Sequence, residues 1–157
     1  MGKRLLPLLI LLTLGGRASA GEFPKSGEAE LINYAMIHEF LTIDGGSAGA
    51  FGSGQYSGVV RNVAGSGPFD KASIICSENW THLEGKWSRT GACITTDEDG
   101  DQMMSTFGRG QNNLVSGTGK YAGISGTFSF VSSTRLHEAP RAMTPVITQI
   151  KAKWELK

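Results

Sequence analysis

Apolar and polar side chains alternate most cleanly near the C-terminal end of the chain. In Val146 to Lys157, Val146, Thr148, Ile150, Ala152, Trp154 and Leu156 fall on one face, and Gln149, Lys151, Lys153, Glu155 and Lys157 on the other. In Ile124 to Ser133, Ile124, Gly126, Phe128 and Phe130 share a face opposite Ser125, Thr127, Ser129 and Ser133, with Val131 the one exception. A period of two over this length predicts strands with one buried and one wet face. Earlier in the chain, further strands are predicted at Gly52–Asn62, Phe69–Ser77, Thr81–Arg89, Ala92–Thr96, Gln102–Arg109 and Asn112–Ser116. Turn signals every 8–12 residues between strands of this kind are those of a sandwich or barrel.

Glu28 to Leu41 is ambiguous. Leu31, Tyr34, Ala35, His38 and Leu41 fit helical spacing, but the segment runs straight into Thr42-Ile43 and the Asp44-Gly45-Gly46 turn, so a long strand is the reading taken. As a strand it is apolar on both faces: Leu31, Ile37, Leu41 and Ile43 on one, Ile32, Tyr34, Met36 and Phe40 on the other, with His38 among the latter. Both faces then need cover. Inside a barrel one face meets the interior, and the other calls for a partner subunit or the N-terminal segment. The strand count comes to about nine, or eight if two short ones merge. Leu136 to Pro145 is predicted as a surface loop.

Glycine is abundant, 22 of 157 residues, about twice ordinary usage and without a collagen-like period. One glycine pattern recurs: Gly54-Gln55-Tyr56-Ser57-Gly58 and Gly119-Lys120-Tyr121-Ala122-Gly123. Both are predicted to be turns whose tyrosine packs back onto the sheet.

Residues 1–20 read as a signal peptide: Lys3 and Arg4, an apolar stretch from Leu5 to Leu14, then Ala18-Ser19-Ala20. Ten apolar residues are too few to span a bilayer core, which takes roughly 20. The expected product is one exported domain over residues 21–157, periplasmic or secreted, with no membrane span. Removal of Lys3, Arg4 and Arg17 leaves 12 basic residues of the original 15 against 14 acidic ones, a net charge of −2. The basic residues are scattered, so the interleaved basic and aromatic stripe of a nucleic-acid surface is missing. The domain retains two cysteines, Cys76 and Cys93. Export favours a disulfide between them over two buried thiols, provided their strands are neighbours.

Ser116 to Gly126 (Ser-Gly-Thr-Gly-Lys-Tyr-Ala-Gly-Ile-Ser-Gly), the acidic hairpin of Cys93 to Asp101, and Lys151-Ala152-Lys153-Trp154-Glu155 resemble exported proteins with an allene-oxide-cyclase-like barrel. The resemblance implies an all-β fold: a single antiparallel calycin-type β-barrel of about eight strands, similar to allene oxide cyclases and plant dirigent proteins. Such relatives bind apolar or aromatic small molecules and steer cyclisation or coupling without a cofactor. Similar barrels form trimers, which together with the doubly apolar first strand makes a homodimer or homotrimer the expectation. No catalytic residue of that group maps onto this chain.

Motifs with chemical meaning lack their context. Gly45-Gly46-Ser47-Ala48-Gly49 matches a nucleophile elbow but stands in a loop between strands, not between a strand and a helix. Asp97-Glu98-Asp99-Gly100-Asp101 offers three alternating carboxylates, yet the glycine comes too early and no closing glutamate follows, so a hairpin tip is predicted. Gly117-Thr118-Gly119-Lys120 lacks the hydroxyl residue of a phosphate loop. His38, His82 and His137 lie too far apart in sequence to suggest a metal site, and neither a metal nor a cofactor is expected. His82 and Glu84 share a strand face with Trp80; that face is taken as exterior because Leu83 and Trp87 opposite look like core. The candidate ligand-binding residues are Tyr34, His38, Arg61, Trp80, His82 and Glu84. The expected role is binding of a small apolar or aromatic molecule inside the barrel. Two alternatives stand beside it: a cofactor-free lyase or isomerase using His38, Arg61 or Glu84, and a structural or envelope-stress protein with a solid barrel.

Overall fold

A computed structural model describes residues 23–136 and 143–157. The predicted signal peptide, His137 and most of the predicted loop before the last strand lie outside the described residues. Eight antiparallel strands form a closed barrel: β1 (Ser26–Asp44), β2 (Ala50–Asn62), β3 (Ala72–Leu83), β4 (Lys86–Thr96), β5 (Gln102–Gly108), β6 (Gln111–Gly117), β7 (Ile124–Arg135) and β8 (Met143–Leu156). Each strand pairs with the next in sequence, and β1 closes the ring against β8. Closure leaves no open sheet edge, the usual liability of an antiparallel sheet.

Glu28 to Leu41 is strand, as its continuation into the turn implies. The regions predicted as three strands between Phe69 and Thr96 are two. Phe69 belongs to a loop, with φ 62°, and the chain turns at Glu84 (φ 52°) and Gly85 (φ 75°) inside the predicted Thr81–Arg89 strand. Leu83 and Lys86 pair directly across those two residues. A two-residue hairpin with both central φ positive matches the twist of its strands; glycine adopts that conformation freely, glutamate rarely.

Two bulges shift side chains between faces. The register of β1 on β2 slips between Glu39 and Leu41, so Leu31 and Ile37 point inward while Leu41 and Ile43, predicted to share their face, point outward and are exposed. The register of β7 on β8 slips between Phe130 and Ser132. Val131, the exception to the alternation, is the extra residue there.

One end of the barrel is plugged by four aromatic side chains. Phe23, Phe69, Tyr121 and Trp154 pack with ring centroids 4.8–5.6 Å apart. The Trp154 indole N–H donates to the Pro24 carbonyl at 3.0 Å, which tethers the segment leading into β1 across the barrel floor. Phe23 therefore caps the floor, away from the outer face of β1. On the outer wall, Lys151 pairs with Glu30 and Lys153 with Glu28 across β8 and β1. Among the described residues no helix is long and apolar enough to cross a membrane.

Candidate functional site

Above the aromatic floor the barrel is hollow, with a cavity of about 480 Å³. Apolar side chains make most of its wall: Leu31, Ile37, Val60, Ile74, Leu114, Val146 and Ile150, with Phe107 and Phe128 from the far side. Phe107 reaches inward over Gly91, its partner on β4, where an added Cβ would overlap the ring. The cavity opens at the end carrying the β3–β4 and β5–β6 hairpins, where Trp87, Arg89, Arg109 and Asn112 line it.

The polar residues of the wall are buried. Asn33 and Thr148 are cross-strand partners on β1 and β8. Tyr56 stands on the inward face of β2, near both. Its hydroxyl and the Asn33 Oδ1 are buried and make no hydrogen bond among the described residues. Burial pushes the Tyr56 phenol up to about 12; the nearness of Thr148 and Asn33 opposes the rise, and the charge of Glu78 adds to it. Glu78 is only 6% exposed. Its carboxylate faces the Arg89 guanidinium at 4.0 Å, beyond hydrogen-bonding distance. Thr95 and Ser105 complete the polar set on β4 and β5.

None of the six candidate ligand-binding residues lines this cavity. Tyr34 and His38 point outward from β1, where His38 Nε2 lies 3.5 Å from the Ser57 hydroxyl. Arg61 is also outside, its Nε donating to Asp70 at 2.8 Å; that bond holds the Asp70 carboxyl below the usual carboxylate range. Glu84 is in the hairpin turn. Trp80 is buried and points inward, as does His82, so the face predicted as exterior is the interior one. Leu83, read as core, points outward and is 49% exposed, while Trp87, read with it, lies across from His82 on the inward face at the cavity mouth and is 59% exposed. Trp80 packs over Gly52, where an added Cβ would come within 2.6 Å of the indole. His82 stacks on Trp87 at the rim, 4.6 Å between rings. Sequence reasoning missed Glu78, Arg89 and the inward Tyr56.

Tyr56 also corrects the prediction for the repeated glycine motif. Its first copy lies in mid-strand, while the second is a short 3-10 turn, Gly119–Tyr121, with Tyr121 buried in the floor. Only the second has glycines at positive φ.

The acidic hairpin is organised around a lysine. Lys120 Nζ lies 2.9 Å from Asp97 and also bonds Asp99, while the backbone N–H of Lys120 donates to Asp101. Asp97 Oδ1 accepts from the backbone of Asp99 and Asp101. An ammonium thus occupies the centre of the carboxylate cluster. Burial pushes the Asp97 carboxyl up, but the Lys120 ammonium at 2.9 Å and the nearby Tyr121 hydroxyl outweigh it and hold the group below its ordinary value.

Cys76 and Cys93 are register partners on β3 and β4 and form a disulfide that belongs to the cavity wall.

No protein-family model, curated protein or solved structure matches this chain.

Proposed function

We propose that this protein binds a small, largely apolar or aromatic molecule inside the barrel after export from the cytoplasm. The observation that carries the reading is the cavity: about 480 Å³, closed below by four aromatic rings and open above. Binding pockets for small molecules fall in the range of roughly 300–1,000 Å³ and are mostly apolar with a few placed polar groups. An eight-stranded barrel has room either for packed side chains or for one small ligand, and the empty volume supports the second over a solid structural barrel. The resemblance to allene-oxide-cyclase-like barrels points the same way. Export is supported by the leader pattern and by the disulfide, a bond that persists in oxidising compartments. Native mass spectrometry of the protein from its own compartment tests the reading. A co-purified small molecule, released on denaturation, is expected.

A cofactor-free lyase or isomerase is a second reading, favoured by the ionisable groups facing the cavity. Its acid or base would be Glu78 or Tyr56, with Arg89 beside them, rather than His38, Arg61 or Glu84.

Self-association is the accompanying proposal. The outer face of β3 to β5 supports it: Ile75, Ile94 and Met104 are register neighbours, all exposed. From Ser73 to Thr81, Ser88 to Thr96 and Gln102 to Thr106, no outward position of these strands carries a charge.

A further inference from the structure

The cavity wall carries donors, among them Arg89 and Arg109 at the mouth and the Thr95, Ser105 and Thr148 hydroxyls, yet its acidic residue, Glu78, is left without one, and this bears on which molecules fit. Glu78 occupies an unusual place. Its register partners are Gly54 on β2 and Gly91 on β4, so neither neighbouring strand offers a side chain at its level. The carboxylate is nearly withdrawn from solvent, yet among the described residues it receives no hydrogen bond; Arg89, 4.0 Å away on the mouth side, is its one ion-pair partner there. A charge this deeply buried is costly unless paired and hydrogen-bonded. Asn33 Oδ1 and the Tyr56 hydroxyl, on the same side of the cavity, are also buried without partners. Buried polar atoms ordinarily find partners. Here the space that would hold the partners is the cavity itself.

Resting on the binding reading above, we propose that Glu78 and the Asn33 Oδ1 form an acceptor wall, with the Tyr56 hydroxyl, which can donate or accept, beside them. It selects molecules that carry a hydrogen-bond donor, an alcohol or an amine, on an otherwise apolar body, and it rejects carboxylates. A donor placed against Glu78 supplies the bond that Arg89 does not reach to make, while the apolar body lies against Phe107, Phe128 and Ile150. A carboxylate in that place would face Glu78 and the Asn33 oxygen with no proton to offer, and only the Tyr56 hydroxyl could donate to it. A hydrocarbon would leave all three groups unpaired. Sites built to hydrogen-bond a ligand discriminate strongly against analogues lacking the donor.

Four probes of one skeleton test this: 1-methylnaphthalene, naphthalen-1-ylmethanol, naphthalen-1-ylmethylamine and 1-naphthoic acid, each titrated into the mature protein by calorimetry. The alcohol and amine should bind at least tenfold tighter than the hydrocarbon and the acid. In Glu78→Gln, the amine's advantage over the hydrocarbon should fall to within about twofold, and the acid should gain. Equal binding of all four by the wild type would overturn the acceptor wall while leaving cavity binding intact, as would an unchanged ranking in Glu78→Gln. Binding of none would overturn both. Should Glu78→Gln fail to fold, the wild-type ranking alone decides.

Discussion

Cys76 and Cys93 face each other across β3 and β4, and their disulfide forms part of the wall against which a bound molecule would lie. The two residues are 17 positions apart. Cross-linking a loop of about this length restricts the unfolded chain and stabilises by about 3 kcal/mol. Thiol titration of denatured, unreduced protein should find no free thiol. The Cys76→Ser/Cys93→Ser double variant should unfold at lower denaturant, corresponding to a loss of about that size. Two titratable thiols in material from the native compartment would contradict it.

Trp154 and Lys153 are adjacent in β8 and sit in opposite surroundings. Trp154 is buried among Phe23 and Phe69, while Lys153 meets Glu28 in solvent. Trp154→Ala should cost about 3–5 kcal/mol in denaturant unfolding, as large-to-small core changes do. Lys153→Ala should cost less than about 0.5 kcal/mol, since an exposed pair contributes little. Similar losses at both positions would contradict the register.

The Lys120 cluster makes stability depend on pH at both extremes. The folded Asp97 carboxyl titrates below its unfolded value, so its contribution is present above about pH 4 and is lost as pH falls through the lower folded value. Lys120 titrates above its ordinary value, first because of its hydrogen bond to Asp99. Its contribution is full below about pH 10.5 and is lost as pH rises through the folded value. Thermal melts of wild type and Asp97→Asn across both ranges check this. The variant should lose part of the acid sensitivity; Asp70, held low by Arg61, should retain its share. Identical acid profiles would count against the role given to Asp97.

The uncharged row of outer-face positions from Ser73 to Thr81, Ser88 to Thr96 and Gln102 to Thr106 predicts a concentration-dependent mass. Sedimentation equilibrium should find a dimer or trimer for the wild type and a monomer for Ile94→Lys, whose side chain would put a charge at the centre of the Ile75–Ile94–Met104 row. A monomeric wild type would contradict this proposal and leave the cavity reading untouched.

The strands legible in the sequence were those whose two faces differ. β8 alternates over its second half, with Gln149, Lys151, Lys153 and Glu155 outward and Ile150, Ala152 and Trp154 inward, and the structure reproduces that register. β7 was legible up to Val131, where the break in its pattern was the sequence mark of the bulge. The bulge in β1 left no such mark, because apolar residues on both faces hide a one-residue slip. The Glu84-Gly85 turn was missed because glutamate is outside the usual vocabulary of such turns. That miss, together with the predicted strand ending at Ser77, hid Glu78: it follows Ile74 and Cys76 on the buried parity and precedes Trp80, but fell between two predicted strands. The cavity depends on how far opposite walls stand apart, a property of barrel closure that no local pattern carries.

Ligand binding inside the barrel is tested most directly by titrating an environment-sensitive apolar fluorophore into the wild-type protein over residues 21–157 and into its Ser105→Phe variant. Ser105 is buried on β5 and lines the cavity, so a phenyl ring there takes up space inside without touching the outer face. With circular dichroism confirming that both proteins are folded, the wild type should bind saturably at one site per chain, unaffected by chelator. Ser105→Phe should bind at least tenfold more weakly. No saturable binding by the wild type, or equal binding by the filled variant, would contradict a ligand held inside the barrel.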